Sequence, residues 1–196
     1  MKIPIFPLNG AILFPETNLP LNIFEERYIE MVDYSLSNNR LIGMVQQKKN
    51  GELYRIGCYG KITVFNETPD KRYLINLKGE NCFNIIREID TLQKFRICEI
   101  ENIDNFNGNK LDEDLRKTII DSFKKYKEVK KINVNLDDLS QLNMLDLLKF
   151  IVMISPFDDS MKQMFLELKS NEELYENVLS SLQIELVSDQ ETNLIN

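Results

Sequence analysis

The apolar residues of this chain change their spacing once, near the middle, and that change limits the fold more than any other feature. In residues 1–103, short runs rich in Ile, Val, Phe and Tyr are separated by turn signals, which is typical of β-strands. From residue 111 onward, apolar residues recur every three or four positions, as in amphipathic helices. The sequence therefore predicts an α+β fold, with an antiparallel β-structure containing one helix followed by a helical bundle.

The first half is predicted to contain seven strands and one helix. Pro69 and Asp70 favour a hairpin turn between two of the strands, because Pro presets φ and Asp bonds its own backbone. The helix is predicted over residues 25–36, where apolar residues fall on one face. The predicted strands are residues 2–8, 19–24, 41–46, 57–67, 72–79, 82–87 and 94–103.

The second half is predicted to be a separate helical subdomain. Residues 104–110 are rich in Asn, Asp and Gly and are predicted to connect it to the β-rich subdomain of residues 1–103. Residues 111–187 carry four helical stripes, of which the second, from Leu139 to Val152, is apolar nearly all round and is predicted to be the buried centre. A cap for the third helix is predicted within residues 158–160, and Ser170 and Glu173 are predicted to form a capping box at the start of the fourth. Residues 188–196 are predicted to be a frayed polar tail.

The composition excludes most catalytic chemistry. The chain has no histidine, which excludes Ser-His-Asp and Cys-His nucleophiles, histidine bases and histidine-bearing zinc sites. The single Gly-Lys pair, Gly60-Lys61, lacks the spacing of a phosphate-binding loop. Cys58, Cys82 and Cys98 lie in predicted strands without a C-x-x-C pattern, which indicates buried thiols and a reducing, cytoplasmic compartment. We therefore expect no enzyme activity, no cofactor and no metal.

The charge of the chain also limits its partners. The net charge of −7 disfavours attraction to nucleic acid or anionic lipid. The densest apolar segment, residues 145–154, is shorter than the roughly 20 residues that a membrane span needs. One basic run, residues 124–131 with Tyr126 inside it, keeps nucleic-acid binding open as an alternative, although the solvated C-terminal end of a helix explains the run better in an acidic chain.

Several sequence blocks carry a family resemblance. The most specific are Ile3-Pro-Ile-Phe-Pro-Leu8, Ala11-Ile-Leu-Phe-Pro15 and Leu19-Pro-Leu-Asn-Ile-Phe-Glu-Glu-Arg-Tyr28, followed later by Leu53-Tyr-Arg-Ile-Gly57, Arg72-Tyr-Leu-Ile75 and Ile154-Ser-Pro-Phe157. Over about residues 2 to 186, this series resembles the N-terminal, substrate-binding domain of Lon proteases, particularly its freestanding bacterial members. The resemblance implies a PUA-like β-barrel followed by a helical subdomain.

The same resemblance implies recognition of unfolded or degron-bearing polypeptides. The ATPase and Ser-Lys protease domains of full-length Lon are not expected in these 196 residues, so we predict a non-catalytic protein-binding module. The candidate contact residues are Glu26, Arg27 and Glu30, on the surface of the first helix.

Packing of that helix onto the sheet is predicted to use Phe14, Phe24, Tyr28 and Met31. Glu25 and Arg27 are predicted to pair either with the backbone or with each other near its start.

Three other functions are kept as hypotheses. The first is a nucleic-acid-binding module that uses the basic run. The second is an enzyme that works with carboxylates alone, for which the sequence offers no paired constellation. The third is an adaptor or competitor that acts on full-length Lon protease.

Overall fold

The computed structural model describes residues 1–108, 111, 112, 114–139 and 141–195. The chain divides into two compact units, Met1–Asp104 and the residues from Asn105 onward. The first unit contains β1 (Lys2–Pro7), β2 (Asn18–Ile23), α1 (Glu26–Leu36), β3 (Leu41–Val45), β4 (Ile56–Glu67), β5 (Tyr73–Ile89) and β6 (Arg96–Ile103). The second contains α2 (Asp114–Val129), α3 (Leu136–Leu139), α4 (Met144–Ile154), α5 (Asp159–Glu167) and α6 (Asn171–Ile195). The predicted α+β class is confirmed.

Five strands of the first unit close into a ring. The order in the sheet is β2-β5-β4-β3-β1-β6, and β5 also pairs with β6, which joins the two ends of the β5-β4-β3-β1-β6 series. The β1–β3 pairing is parallel and the other pairings are antiparallel. A closed ring removes the open edges that invite unwanted strand pairing. Among the strands that the structure describes, β2 stands outside this ring.

The prediction of two strands at residues 72–79 and 82–87 is wrong, because one strand, β5, covers both. Opposite β4, Gly79 is paired with Gly60 and Asn81 with Tyr59, so that Glu80 is an extra residue in β5. Such a bulge bends and twists a strand without ending it. The Gly79-Glu80 pair is therefore a bend in a continuous strand and not a turn.

The interior of the ring is apolar and includes one of the thiols, that of Cys98. Its core cluster comprises Ile3, Ile5, Val45, Tyr59, Phe83, Cys98 and Ile100. All three cysteines are buried and free, which confirms the prediction of buried thiols. Burial raises the pKa of Cys98 to about 11, so this thiol is protonated and unreactive near neutral pH.

The helix α1 packs against β1 and β3. Its buried residues include Tyr28, Met31 and Val32, and the rings of Tyr28 and Phe6 lie 4.4 Å apart between centroids. Phe14 is also fully buried. The predicted packing of Tyr28 and Met31 is thus confirmed, and so is the burial of Phe14.

In the second unit, side-chain caps set where two of the helices begin. The Asp158 carboxylate accepts a bond from the Met161 N–H at 2.8 Å at the start of α5. At the start of α6, Ser170 Oγ accepts from the Glu173 N–H at 3.1 Å. The Glu173 carboxylate in turn accepts from the Ser170 N–H at 3.4 Å. Each of these bonds satisfies an N–H that has no partner within the helix. Both predicted caps are confirmed.

The second apolar stripe is interrupted where the sequence predicted continuity. Asn143 caps α4 by accepting from the Asp146 N–H at 2.9 Å, so the stripe is divided between the short α3 and α4. The helix α4 buries Leu147, Leu148, Ile151 and Val152, in agreement with its predicted central place.

The last helix, α6, is longer than the sequence predicted. Its backbone continues to Ile195, through the segment predicted to be a frayed tail, of which Asn196 lies outside the described residues. Extending an existing helix costs much less than starting one.

Candidate functional site

Three strand segments extend beyond the closed ring and form what we call the exposed arm. It consists of β2 with Phe24, residues 62–67 of β4 and residues 73–78 of β5. In this arm β5 pairs with β4 on one side and with β2 on the other. The arm therefore has edges that the ring does not cover.

One face of the exposed arm carries solvent-exposed apolar side chains between asparagines. Leu74 of β5 is paired with Asn22 of β2 on one side and with Asn66 of β4 on the other. Val64 of β4 is paired with Asn76, which follows Leu74 by two residues in β5. Because side chains alternate along a strand, Leu74 and Val64 stand on the same face. Val64 is 51% exposed and Leu74 is 41% exposed.

Phe24 adds a third apolar side chain to this surface. It follows Asn22 by two residues, and its ring is 65% exposed. The Arg72 guanidinium lies 5.9 Å from the ring centroid. An exposed cluster of this kind is typical of a surface that contacts another molecule.

The β2 edge of the arm has hydrogen-bonding groups to offer. Within the residues the structure describes, β2 pairs with β5 alone. Pro20 lies in the middle of β2 opposite Asn76, and because proline has no N–H to donate to β5, its nitrogen faces the open edge. By the alternation of a strand, the main-chain groups of Asn18 and Asn22 face the same way. These groups are available to an incoming strand.

A groove of about 250 Å³ runs beside this edge. Leu21, Asn22 and Phe24 line it from β2, and Phe6 and Tyr28 line it from β1 and α1. Burial raises the pKa of Tyr28, which keeps its hydroxyl protonated. The lining thus combines aromatic rings with the polar residues Glu25, Arg27 and Gln47.

The three residues predicted to contact a polypeptide do not share one place. Arg27 lines the groove, with its guanidinium 4.4 Å from the centroid of the Tyr28 ring. Its Nη2 lies 2.8 Å from the Glu25 carboxylate, which confirms the predicted pair.

Glu26 and Glu30 lie away from this groove and share one partner. Both accept hydrogen bonds from Lys94 Nζ, at 2.8 and 2.7 Å. The two carboxylates raise the pKa of Lys94, and the bond from Lys94 lowers the pKa of Glu26. A role of either glutamate in binding stays a prediction.

The predicted burial of Phe24 is wrong, and the sequence held a signal for its exposure. In β2, Leu19, Leu21 and Ile23 point to the protected side while Pro20 and Asn22 are exposed. Continuing this alternation by one residue places Phe24 on the exposed side. Val64 and Leu74 were not singled out, since an isolated apolar residue in a strand gives no sign of facing solvent.

The basic run gives little support to nucleic-acid binding. Its aromatic residue, Tyr126, is fully buried and is not available for stacking on bases. Lys127 Nζ donates to the Val134 carbonyl at 2.6 Å, and Lys130 pairs with Glu185 at 3.0 Å. Lys127 and Lys130 are therefore engaged in contacts within the second unit.

The described part of the chain contains neither a candidate metal cluster nor a candidate membrane span. Among the described residues, no group of three Cys, Asp or Glu side chains is placed to hold a metal ion. No helix within that part of the chain has the length and apolarity to cross a membrane. The site described above consists of an open strand edge, an apolar face and a groove.

The fold is that of known Lon N-terminal domains. The structure superimposes on a Lon N-terminal domain protein from Xanthomonas campestris with a TM-score of 0.69 and 16% identity, covering 92% of this chain and 98% of that one. It superimposes on the N-terminal domain of a Mycobacterium avium complex Lon protease with a TM-score of 0.65 and 11% identity, over 93% and 98% of the two chains.

Sequence comparison places the chain in a family. The family of the ATP-dependent protease La (LON) substrate-binding domain matches residues 2–183, and the chain belongs to that family. The Lon protease of Dictyoglomus thermophilum is 32% identical over 100 residues, 48% of this chain and 13% of that protein. The Lon protease of Buchnera aphidicola subsp. Acyrthosiphon pisum is 24% identical over 198 residues, 95% of this chain and 25% of that protein. The chain thus matches at most about a quarter of these relatives' length.

Proposed function

We propose that this protein binds unfolded or degron-bearing polypeptides, without acting on them chemically, by adding an extended segment of the client to the free edge of β2. The observation that carries the proposal is the combination of an open β2 edge with the exposed apolar face of Phe24, Val64 and Leu74. Membership of the substrate-binding family supports a protein as the ligand.

Strand addition suits a ligand of variable sequence. Main-chain hydrogen bonds to an edge do not depend on the side chains of the incoming segment, so they supply affinity without strict specificity. The neighbouring apolar face then favours segments with exposed hydrophobic residues, which unfolded chains have and folded proteins bury. Arg27 and the Phe6 and Tyr28 rings offer the groove beside β2 as a place for one client side chain.

The edge is also protected against uncontrolled pairing. Pro20 removes one donor from the middle of β2, which limits the number of bonds that another strand makes there. An edge of this kind favours reversible binding over stable aggregation, as expected for a module that holds clients temporarily. A reducing compartment fits this proposal, since all three thiols are free and buried.

Replacing Phe24 by serine is expected to weaken client binding by about tenfold without unfolding the protein. The ring is 65% exposed, so its loss has little effect on stability, whereas an aromatic group buried at an interface contributes on the order of 1–2 kcal/mol. Fluorescence anisotropy with a labelled, permanently unfolded client, such as reduced and carboxymethylated α-lactalbumin, measures the dissociation constant.

The matched control for this experiment is Leu92→Ser. Leu92 is fully exposed in the same unit but lies outside the exposed arm. The control should bind the client as the wild type does. Equal affinity of the wild type and Phe24→Ser, or an equal loss in both variants, would argue against the exposed arm as the binding surface.

A further inference from the structure

A second cavity, of about 500 Å³, lies in the β-rich unit at a different place from the groove beside β2. Its walls come from the loop 50–55, from residues 85–88 of β5 and from Arg96 and Cys98 of β6. The volume lies within the range of small-molecule and side-chain pockets, which is about 300–1,000 Å³. Neither the family match nor the proposed contact at β2 assigns it a role.

The floor of this cavity is apolar. Leu53, Tyr54 and Ile85 line it, and the same three residues pack against the core of the ring. Because these three side chains already pack against the core, their conformations are fixed before a ligand binds. Binding to this apolar surface therefore costs little side-chain entropy.

The rim of the cavity is cationic. Arg55, Arg87 and Arg96 all line it. Arg87 is held by Glu99 at 2.7 Å, while Arg96 reaches Glu88 only at 3.5 Å. The side chain of Arg55 has no ion-pair or hydrogen-bond partner among the residues that the structure describes.

The charges around the cavity leave one guanidinium to be neutralised. Of the three arginines that line it, Arg87 is paired with Glu99 and Arg96 with Glu88, so Arg55 is the guanidinium that remains. Glu52, which also lines the cavity, is engaged by Lys48 at 3.6 Å. The cavity is therefore locally positive on a chain whose net charge is −7.

We propose that this cavity binds the C-terminal residue of a client polypeptide, with the α-carboxylate on Arg55 and Arg96 and an apolar last side chain on Leu53, Tyr54 and Ile85. This inference rests on the proposed function, since it assumes a polypeptide ligand. At a C-terminus, the carboxylate and the side chain leave the same Cα atom, so one residue presents both groups at short range. A guanidinium is well suited to a carboxylate because it donates two parallel hydrogen bonds.

The test uses a short peptide in two forms. A fluorescein-labelled Gly-Ser-Gly-Ser-Gly-Leu peptide is prepared with a free C-terminal carboxylate and with a C-terminal carboxamide. Its Gly and Ser residues give the exposed arm little apolar surface to bind. The wild-type protein is expected to bind the carboxylate about fivefold more tightly than the carboxamide, as fits one partly exposed charge-assisted bond. Replacing the last Leu by Gly should weaken binding by a similar factor.

Two variants identify the place of binding. Arg55→Gln should abolish the preference for the carboxylate. Lys61→Gln, which removes an exposed positive charge from β4 outside the cavity, should keep it. Equal binding of the two peptide forms by the wild type, or an unchanged preference in Arg55→Gln, would overturn the inference. So would binding that is indifferent to the last side chain and competed by inorganic phosphate, since that result defines a simple anion site.

The outcome is separable from that of the proposed function. If an unfolded client binds in a Phe24-dependent way but the peptide shows no carboxylate preference, only the inference about the cavity fails. If the peptide shows the preference but no unfolded client is bound through the exposed arm, the proposed function of the arm fails alone.

Discussion

Gly79→Ala is expected to lower the free energy of unfolding by about 3 kcal/mol, at the upper end of the cost of overpacking. A Cβ atom on Gly79 would overlap the carbonyl group of Phe14 and would also press on the side chain of the buried Leu13. The first obstacle is backbone, so no side chain can move aside to make room. Chemical denaturation followed by circular dichroism measures the loss.

The control for Gly79→Ala is Lys78→Ala, at the neighbouring position of β5. Lys78 is exposed and pairs with Glu16 on the surface, so its loss should leave the free energy of unfolding nearly unchanged. A Gly79→Ala protein as stable as the wild type would show that the bulge in β5 does not need glycine. It would also contradict the close contact between Gly79 and the Phe14 carbonyl.

Phe165→Ala is expected to cost about 3–5 kcal/mol in the second unit, as do other deletions of buried aromatic rings. Phe165 is fully buried, and its ring lies 5.4 Å from that of Phe157, which in turn lies 5.8 Å from that of Tyr126. Removing the Phe165 ring, at the end of this series, leaves a cavity that the remaining aromatic rings cannot fill without leaving their own contacts.

The loss in Phe165→Ala should be measured by thermal and denaturant unfolding. The control is Ile184→Ala on α6, because Ile184 is 65% exposed and its side chain contributes little to the core. A small effect of Phe165→Ala, equal to that of the control, would mean that the aromatic series does not form the core of this unit.

Features that depend on local chemistry were predictable from the sequence. The change in apolar spacing gave the order of strands and helices, because burial of one face imposes that spacing directly. The caps at Asp158 and Ser170 were predictable because each bonds a backbone group within three residues. The buried thiols followed from their apolar strand context.

Features that depend on distant partners were not predictable. The continuity of β5 past Gly79 is decided by β4 and β6, which pair with it on either side of the bulge. The engagement of Glu26 and Glu30 by Lys94 joins residues more than 60 positions apart. The open edge of β2 is likewise a property of the whole sheet order, and the sequence of β2 alone does not reveal it.

The candidate site contains one residue that the sequence predicted and several that it did not. The sequence directed attention to α1, and the structure does place Arg27 in a groove at its start. The apolar face came instead from the two strands that flank β5 and from β5 itself, through side chains that no local motif marks. Strand pairing brings Val64 and Leu74 onto one face, and the end of β2 adds Phe24.

Hydrogen–deuterium exchange of the protein with and without an unfolded client tests the central claim most directly. If the client adds a strand to β2, main-chain N–H groups at the open edge, those of Asn18 and Asn22, gain hydrogen bonds and their exchange slows. We predict slowed exchange in peptides that cover residues 18–24. Unchanged exchange across this segment when the protein is saturated with client, with slowing found only elsewhere, would contradict binding at β2.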